Sequence, residues 1–252
     1  MAGWEPVVVE GQPFSAGVML IDKPTGITSF GIVRKVRRLL GVKKVGHAGT
    51  LDPFAGGLLI VCAGRGATKH IEQFMQGRKK YRAILQLGVE TETQDREGRI
   101  TAVHAVPELN RGDIERCLKG FVGPQLQAPP PFSAAKHKGK PLYHYARKGI
   151  MIRKEPKAIE IYTICCLGYD ERNHLLDCEI TCSRGTYIRV LAADIGENLG
   201  CGAHLHALRR TQSGRFTVEG ALAGTMLDAE NALELLLSGM MTVDQALACT
   251  NE

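Results

Sequence analysis

The spacing of apolar residues along this chain switches between the 3.6-residue period of a helix and the two-residue period of a strand, and the order of the switches restricts the fold more than any other feature. Residues 17–21 are a short apolar run suited to a buried strand. Asp22-Lys23-Pro24-Thr25-Gly26 then turns the chain, because Pro and Gly punctuate it. A helix is expected at once: Thr28 or Ser29 can cap it, Phe30, Val33, Val36 and Leu40 share one face, and Gly41 stands where a left-handed residue closes a helix. Residues 45–57 hold too much glycine for regular structure and read as a loop, whereas 58–62 are wholly apolar and read as a strand. Helical spacing returns over 67–75, and Tyr81, Ala83, Leu85 and Leu87 alternate as a half-buried strand does. A second short helix is expected over 113–121. Residues 158–167 and 175–182 read as an antiparallel strand pair joined across 168–174. The last strong signal is a helix over about 186–199, with Ile188, Leu191, Ala192, Ile195 and Leu199 apolar and Gly200 as its stop. No βαβ unit repeats, so the expected class is α+β, a mixed and mainly antiparallel sheet flanked by helices.

With 252 residues, 44% of them hydrophobic, the chain can bury a sizeable core as one large domain or as a domain with an appendage. No stretch approaches about 18 consecutive apolar residues, and the N-terminus lacks a basic segment followed by an apolar run. A cytoplasmic location without a membrane partner is therefore expected. Eight cysteines include no CxxC pair, and Cys178 and Cys182 alternate with apolar Ile180. Such residues pack as small hydrophobes, so free, mostly buried thiols are expected rather than zinc or disulfides.

The formal charge of +6 is unevenly placed. Residues 216–252 contain no Lys or Arg but carry Glu219, Asp228, Glu230, Glu234, Asp244 and Glu252, which leaves +12 on the preceding chain. Basic residues cluster at Arg34/Lys35/Arg37/Arg38, Lys43/Lys44, Arg78/Lys79/Lys80/Arg82, Lys136/Lys138/Lys140 and Arg147/Lys148. One such cluster is an ordinary solvated face; their recurrence points to a polyanion, and nucleic acid is the natural one. Residues 124–155, rich in Pro, Lys, Gly and His and without a long apolar period, read as a protruding insertion.

One segment stands out chemically. Gly46-His47-Ala48-Gly49-Thr50-Leu51-Asp52-Pro53-Phe54-Ala55-Gly56-Gly57-Leu58-Leu59 places one carboxylate and one imidazole among glycines and a proline. Glycine lets backbone approach a ligand closely, and Pro53 restricts Asp52 to extended or turn geometry. Taken alone, Asp52 is a turn former.

The same stretch resembles the catalytic motif of the TruB family of tRNA pseudouridine synthases. Further segments resemble that family in the expected order: Asp22-Lys23-Pro24-Thr25-Gly26-Ile27-Thr28-Ser29; Lys80-Tyr81-Arg82-Ala83; Ser133-Ala134-Ala135-Lys136 with Tyr145-Ala146-Arg147; and Ser183-Arg184-Gly185-Thr186-Tyr187-Ile188-Arg189. The resemblance covers roughly residues 17–215, and ordered matches over that length are far more specific than one motif. It implies the pseudouridine synthase fold: a tail over 1–13, a catalytic domain over 14–215 with an RNA-gripping insertion at about 124–155, and a short acidic helical extension over 216–252. Many members carry a PUA-type RNA-binding domain instead, for which 216–252 is too short.

The resemblance also implies an activity. A uridine in the tRNA T-loop, position 55, is flipped out, its glycosidic bond is cleaved, and the base is reattached through C5. Asp52 is then the catalytic aspartate, adding at C6 of the base or acting at C1′ of the sugar. Tyr81 stacks on the flipped base and helps proton transfer, and Arg189 pairs with the aspartate and keeps it ionised. His47 enters the space the base vacates, Leu208 lines the uracil pocket, and Tyr187, Lys23, Lys136 and Arg147 contact substrate. No cofactor, metal or obligatory protein partner is implied, and the expected actor is a monomer on the T-arm. Two alternatives compete: a tRNA-folding helper whose modification activity is secondary, and a phosphoryl-transfer hydrolase. For the second, the sequence offers neither a carboxylate cluster nor a Walker-type loop.

Overall fold

A computed structural model describes residues 8–9 and 12–250; most of the expected 1–13 tail, and Glu252 at the end of the acidic extension, lie outside them. The chain forms two compact units. One holds the residues up to Lys79 and those from Arg209 onward, the other Lys80–Leu208.

In the first unit the strands Gly17–Lys23 and Gly56–Ala63 pair antiparallel, from Gly17 opposite Ala63 to Lys23 opposite Gly57. Every residue of Gly56–Ala63 is buried. Both faces of this strand are covered, which is why its sequence runs apolar instead of alternating. On one face Leu59 and Val61, with Met19 and Ile21, meet Ile32, Val33, Val36 and Leu40 of the helix Ser29–Leu40. On the other, Leu58, Ile60 and Cys62, with Val18, meet Phe74, Phe216 and Ala246. The segment from 216 onward serves both cores. Leu227 and Leu236 join the helix side, and each fully buried leucine contributes about 1.5–3 kcal/mol. The sheet is mixed: Leu222–Ala223 runs parallel to Gly17–Lys23, and Arg209 and Arg210 run parallel to Gly56 and Gly57.

Local chemistry sets the helix ends as the sequence indicates. Thr28 Oγ1 accepts from the Gly31 N–H at 2.9 Å, and Gly41 closes the helix with φ 62°. Three expectations change. Phe30 is not on the apolar face; it is 54% exposed, because Ile32, Val33, Val36 and Leu40 already fill the stripe that meets the sheet. The helix expected over 67–75 is two short helices, Gly64–Thr68 and Ile71–Phe74. The glycine-rich stretch 45–57 is irregular only in its middle, since Val45–Ala48 pairs antiparallel with Gly56–Ala63, His47 lying opposite Val61.

The second unit begins at Lys80, within the strand Lys79–Leu87, whose burial alternates and which is followed in the sheet by Leu175–Cys182, Lys157–Asp170 and the edge strand Gly123–Gln127. Lys157–Asp170 and Leu175–Cys182 are the antiparallel pair the sequence indicates. The helix Arg111–Lys119, started by a capping box of Asn110 and Asp113, packs on Lys157–Asp170 and against the helix Ile188–Asn198. The strand Ala203–Ser213 begins in this unit and is unexpected, because its histidines and arginines mask any apolar alternation. Between Gln127 and Lys157 regular structure is sparse: two-residue strands Lys136–His137 and Lys140–Pro141, then the single-turn helix Leu142–Ala146. Among the described residues, no helix is long and apolar enough to cross a membrane.

Candidate active site

Around Asp52 the backbone is fixed residue by residue. Ser29 Oγ donates to the Leu51 carbonyl and accepts from the Leu51 N–H, both at 2.9 Å. The Asp52 carbonyl accepts from the Ala55 N–H at 3.1 Å, and the Pro53 carbonyl from the Gly26 N–H at 2.8 Å. Lys23, fully buried, donates through Nζ to the carbonyls of Pro24 (2.9 Å), Ile27 (2.7 Å) and Pro53 (3.3 Å). Burying an ammonium costs several kcal/mol unless it finds acceptors. These three carbonyls tie the Asp22-to-Gly26 turn to the Asp52 loop, so within the unit Lys23 acts on the loop's shape.

Arg210 performs the same service from the other side. Only 2% exposed, it donates through Nε to the Leu58 carbonyl and through Nη2 to the Gly49 carbonyl, each at 2.9 Å. Glycine is needed at two points here. Gly49 has φ +83°, and Gly57 has φ +98° with no room for a Cβ, which would lie 2.3 Å from the Arg210 carbonyl oxygen. Arg209, one residue earlier, points to the exposed side and forms a bidentate pair with Asp22 at 2.9 and 2.7 Å.

His47 Nε2 lies 3.1 Å from Thr50 Oγ1. Burial, and secondarily the Arg210 charge, hold its pKa below the usual histidine value. The imidazole is thus neutral at pH 7. His47 and half-buried Asp52 lie on one strand-and-loop segment of the first unit.

The remaining expected residues belong to the second unit, apart from Lys23. Tyr81 is 8% exposed on Lys79–Leu87. Arg189, on the first turn of Ile188–Asn198, is 4% exposed and donates to the carbonyls of Thr93 (2.7 Å) and Phe132 (2.8 Å). Buried Asp95 lies 3.4 Å from it, itself accepting from Thr93 Oγ1 at 2.6 Å and the Glu97 N–H at 3.0 Å. Tyr187 precedes this helix, and its backbone N–H and carbonyl are both held by the Gln127 side chain, at 2.7 and 3.1 Å. Leu208 is half-buried, while Lys136 and Arg147 are exposed. Sequence reasoning missed Ser29 as a loop clamp, Arg210 and Asp95. For Arg210 the sequence carried no usable signal: adjacent residues of a strand point to opposite faces, but 203–213 does not read as a strand, so nothing says which arginine of the doublet is covered.

Comparison with known proteins first fixes the class. A chain described as "Crystal Structure of a Cbf5-Nop10-Gar1 Complex" superposes with TM-score 0.71 at 26% identity, over 92% of this chain and 62% of that one. An archaeal box H/ACA sRNP Nop10-Cbf5 complex gives 0.65 at 26% identity, over 92% of this chain and 61% of that one. The architecture is that of the pseudouridine synthases. Sequence then narrows the class. The model for the TruB family pseudouridylate synthase N-terminal domain matches residues 37–188, and that for the tRNA pseudouridylate synthase B C-terminal domain matches 189–247. The tRNA pseudouridine synthase B of Desulfotalea psychrophila (strain LSv54 / DSM 12343) is 56% identical over 239 residues, 94% of this chain and 97% of that protein. Its counterpart in Nitrosococcus oceani is 43% identical over 234 residues, 92% of this chain and 75% of that one. The chain belongs to the TruB family of pseudouridylate synthases.

Proposed function

We propose that this chain binds the T-arm of tRNA and isomerises the T-loop uridine at position 55 to pseudouridine, with Asp52 as the catalytic carboxylate. The observation that carries the reading is the clamped loop: Leu51 and Pro53, on either side of Asp52, are held by Ser29 and by Gly26 with Lys23. A carboxylate carried on so constrained a backbone can meet a sugar or base in one geometry, which is where orientation lowers a barrier.

The chemistry balances without an added reagent. The N1–C1′ bond breaks, the uracil turns, C5 bonds to C1′, and the proton displaced from C5 is matched by one gained at N1; product and substrate are isomers, so no oxidant, reductant, cofactor or metal is required. An ionised carboxylate can add to C6 or stabilise the cation at C1′. Arg189 pairs with it and favours its charged form, and Tyr81 offers a ring for the extruded base. Neutral His47 fills the vacated stack, where an imidazolium would carry a tighter hydration shell. Leu208 lines the uracil pocket, Tyr187 contacts substrate, and exposed Lys136 and Arg147 grip phosphates of the folded T-arm, recognising RNA by shape. Lys23 serves by holding the loop. We place the protein in the cytoplasm, acting as a monomer without an obligatory protein partner.

The test is an unmodified tRNA transcript incubated with the protein and mapped chemically for pseudouridine. Wild type marks the T-loop uridine; Asp52→Asn binds the tRNA and marks nothing. No pseudouridine from wild type, or pseudouridine elsewhere, overturns the reading. A tRNA-folding helper predicts the opposite for the variant: restored function in cells lacking the gene.

A further inference from the structure

Phe30 is an aromatic that the core does not use. It stands 54% exposed on the helix Ser29–Leu40, with the guanidinium carbons of Arg34 and Arg37 at 6.0 and 5.7 Å from its ring centroid. Arg34 and Arg38 are exposed on the same helix, and Lys43 and Lys44 just beyond its end, whereas Lys35 is engaged with Asp228. Arg37 is fixed from below, its Nη2 donating at 3.3 Å to the carbonyl of Val45, the first residue of the strand that carries His47. An exposed phenylalanine flanked by two guanidinium groups is a poor seat for an apolar protein partner. Aromatic rings set in a positive field are the pattern by which proteins hold unpaired nucleotides.

Its place in the unit adds a distance limit. Phe30 and Asp52 each follow one member of the Ser29–Leu51 hydrogen-bonded pair. Two Cα steps and that bridge put their Cα atoms no more than about 14 Å apart. Stacked nucleotides rise about 3.4 Å each, so an RNA strand that engages both Asp52 and Phe30 needs only a few nucleotides between them.

We propose that Phe30, backed by Arg34 and Arg37, is a second RNA subsite, which stacks an unpaired base a few nucleotides from the target while Arg34 and Arg38 hold the adjoining phosphodiesters. This rests on the reading of the Asp52 loop as an RNA site. It adds an aromatic platform that the phosphate grip alone does not require.

The experiment uses the full chain and an unmodified tRNA transcript, and reads binding separately from turnover. Phe30→Leu keeps apolar bulk and removes the π face; its tRNA dissociation constant and KM are expected to rise about five- to tenfold, the lower range for one stacked base. At saturating tRNA its kcat and its melting temperature stay at wild-type values, and Phe30→Trp restores KM. The Phe30→Leu defect persists at raised salt, whereas that of Arg34→Ala shrinks. Unchanged binding in Phe30→Leu, failure of Phe30→Trp to restore it, or loss of kcat together with melting temperature overturns the proposal. If wild type bound tRNA but formed no pseudouridine, the functional reading would fail while the binding arm still decided this one.

Discussion

The loop at residues 49–55 and the insertion at residues 128–156 both lack long regular elements, yet they are held in opposite ways. In the loop, the backbone groups flanking Asp52 engage side chains that are themselves buried: Ser29, Lys23 and Arg210. The insertion has one such anchor near its start, where buried Arg189 donates to the Phe132 carbonyl at 2.8 Å, and from Ser133 onward it is held chiefly by local contacts. Leu142 N–H donates to the Ala135 carbonyl and Tyr143 N–H to that of Ser133, Tyr145 Oη donates to the His137 carbonyl at 3.2 Å, and the His137 and Tyr145 rings meet edge to face. Five of its cations, Lys136, Lys138, Lys140, Arg147 and Lys148, are exposed. The difference suits the two tasks proposed for these segments. A reacting carboxylate loses rate when displaced by an ångström, while phosphate contacts position a substrate and tolerate movement.

The contrast breaks most directly at Asp52 itself. Asp52→Asn is expected to lower turnover by roughly 10³-fold or more, with tRNA binding and melting temperature retained; substantial residual turnover would dissociate the rigid loop from the chemistry. Arg210→Met tests the clamp. It leaves the buried carbonyls of Gly49 and Leu58 short of a donor, and a stability loss of about 2–4 kcal/mol is expected in urea titration, with kcat falling more than KM. A variant as stable as wild type would show that the loop keeps its shape unaided.

The insertion should answer differently. Lys136→Ala and Arg147→Ala are each expected to weaken tRNA binding about three- to tenfold at low salt and to reduce the salt slope by about one, without a change in melting temperature. A loss of stability instead would make the insertion as rigid a structure as the loop.

The smallest effect concerns His47. Because its pKa is lowered in the folded protein, the unfolded chain binds more protons as pH falls below 6.5, so stability declines with acidification until the folded-state pKa is passed. His47→Asn is expected to flatten that decline in thermal melts between pH 7.5 and 5.5. An identical decline in the variant would assign it to other groups.

Much of this molecule is legible before any coordinates. The Thr28 and Gly41 ends of the first helix, the alternation from Tyr81 to Leu87, the antiparallel pair of Lys157–Asp170 and Leu175–Cys182, and the helix closed near Gly200 follow from local stereochemistry and period. The resemblance to the TruB family likewise rests on ordered motifs in the sequence, and Asp52 lies within one of them. Phe30 was misplaced because a single apolar residue satisfies a helical period without saying how wide a stripe the neighbouring sheet covers.

What tertiary structure alone decided is the work of the cations. Lys23 sits in a turn motif and Arg210 in an arginine doublet, and nothing local distinguishes either from a surface charge. Lys23 turns inward because the antiparallel pairing of Gly17–Lys23 with Gly56–Ala63 brings the Pro53 carbonyl within its reach, and Arg210 because the parallel register beside Gly57 sets it under Gly49. Sequence determined which residues could carry the chemistry, since that depends on functional groups and local geometry. Which buried charges hold that chemistry in place depends on carbonyls supplied by strands and loops distant in the chain, and only folding brings them together.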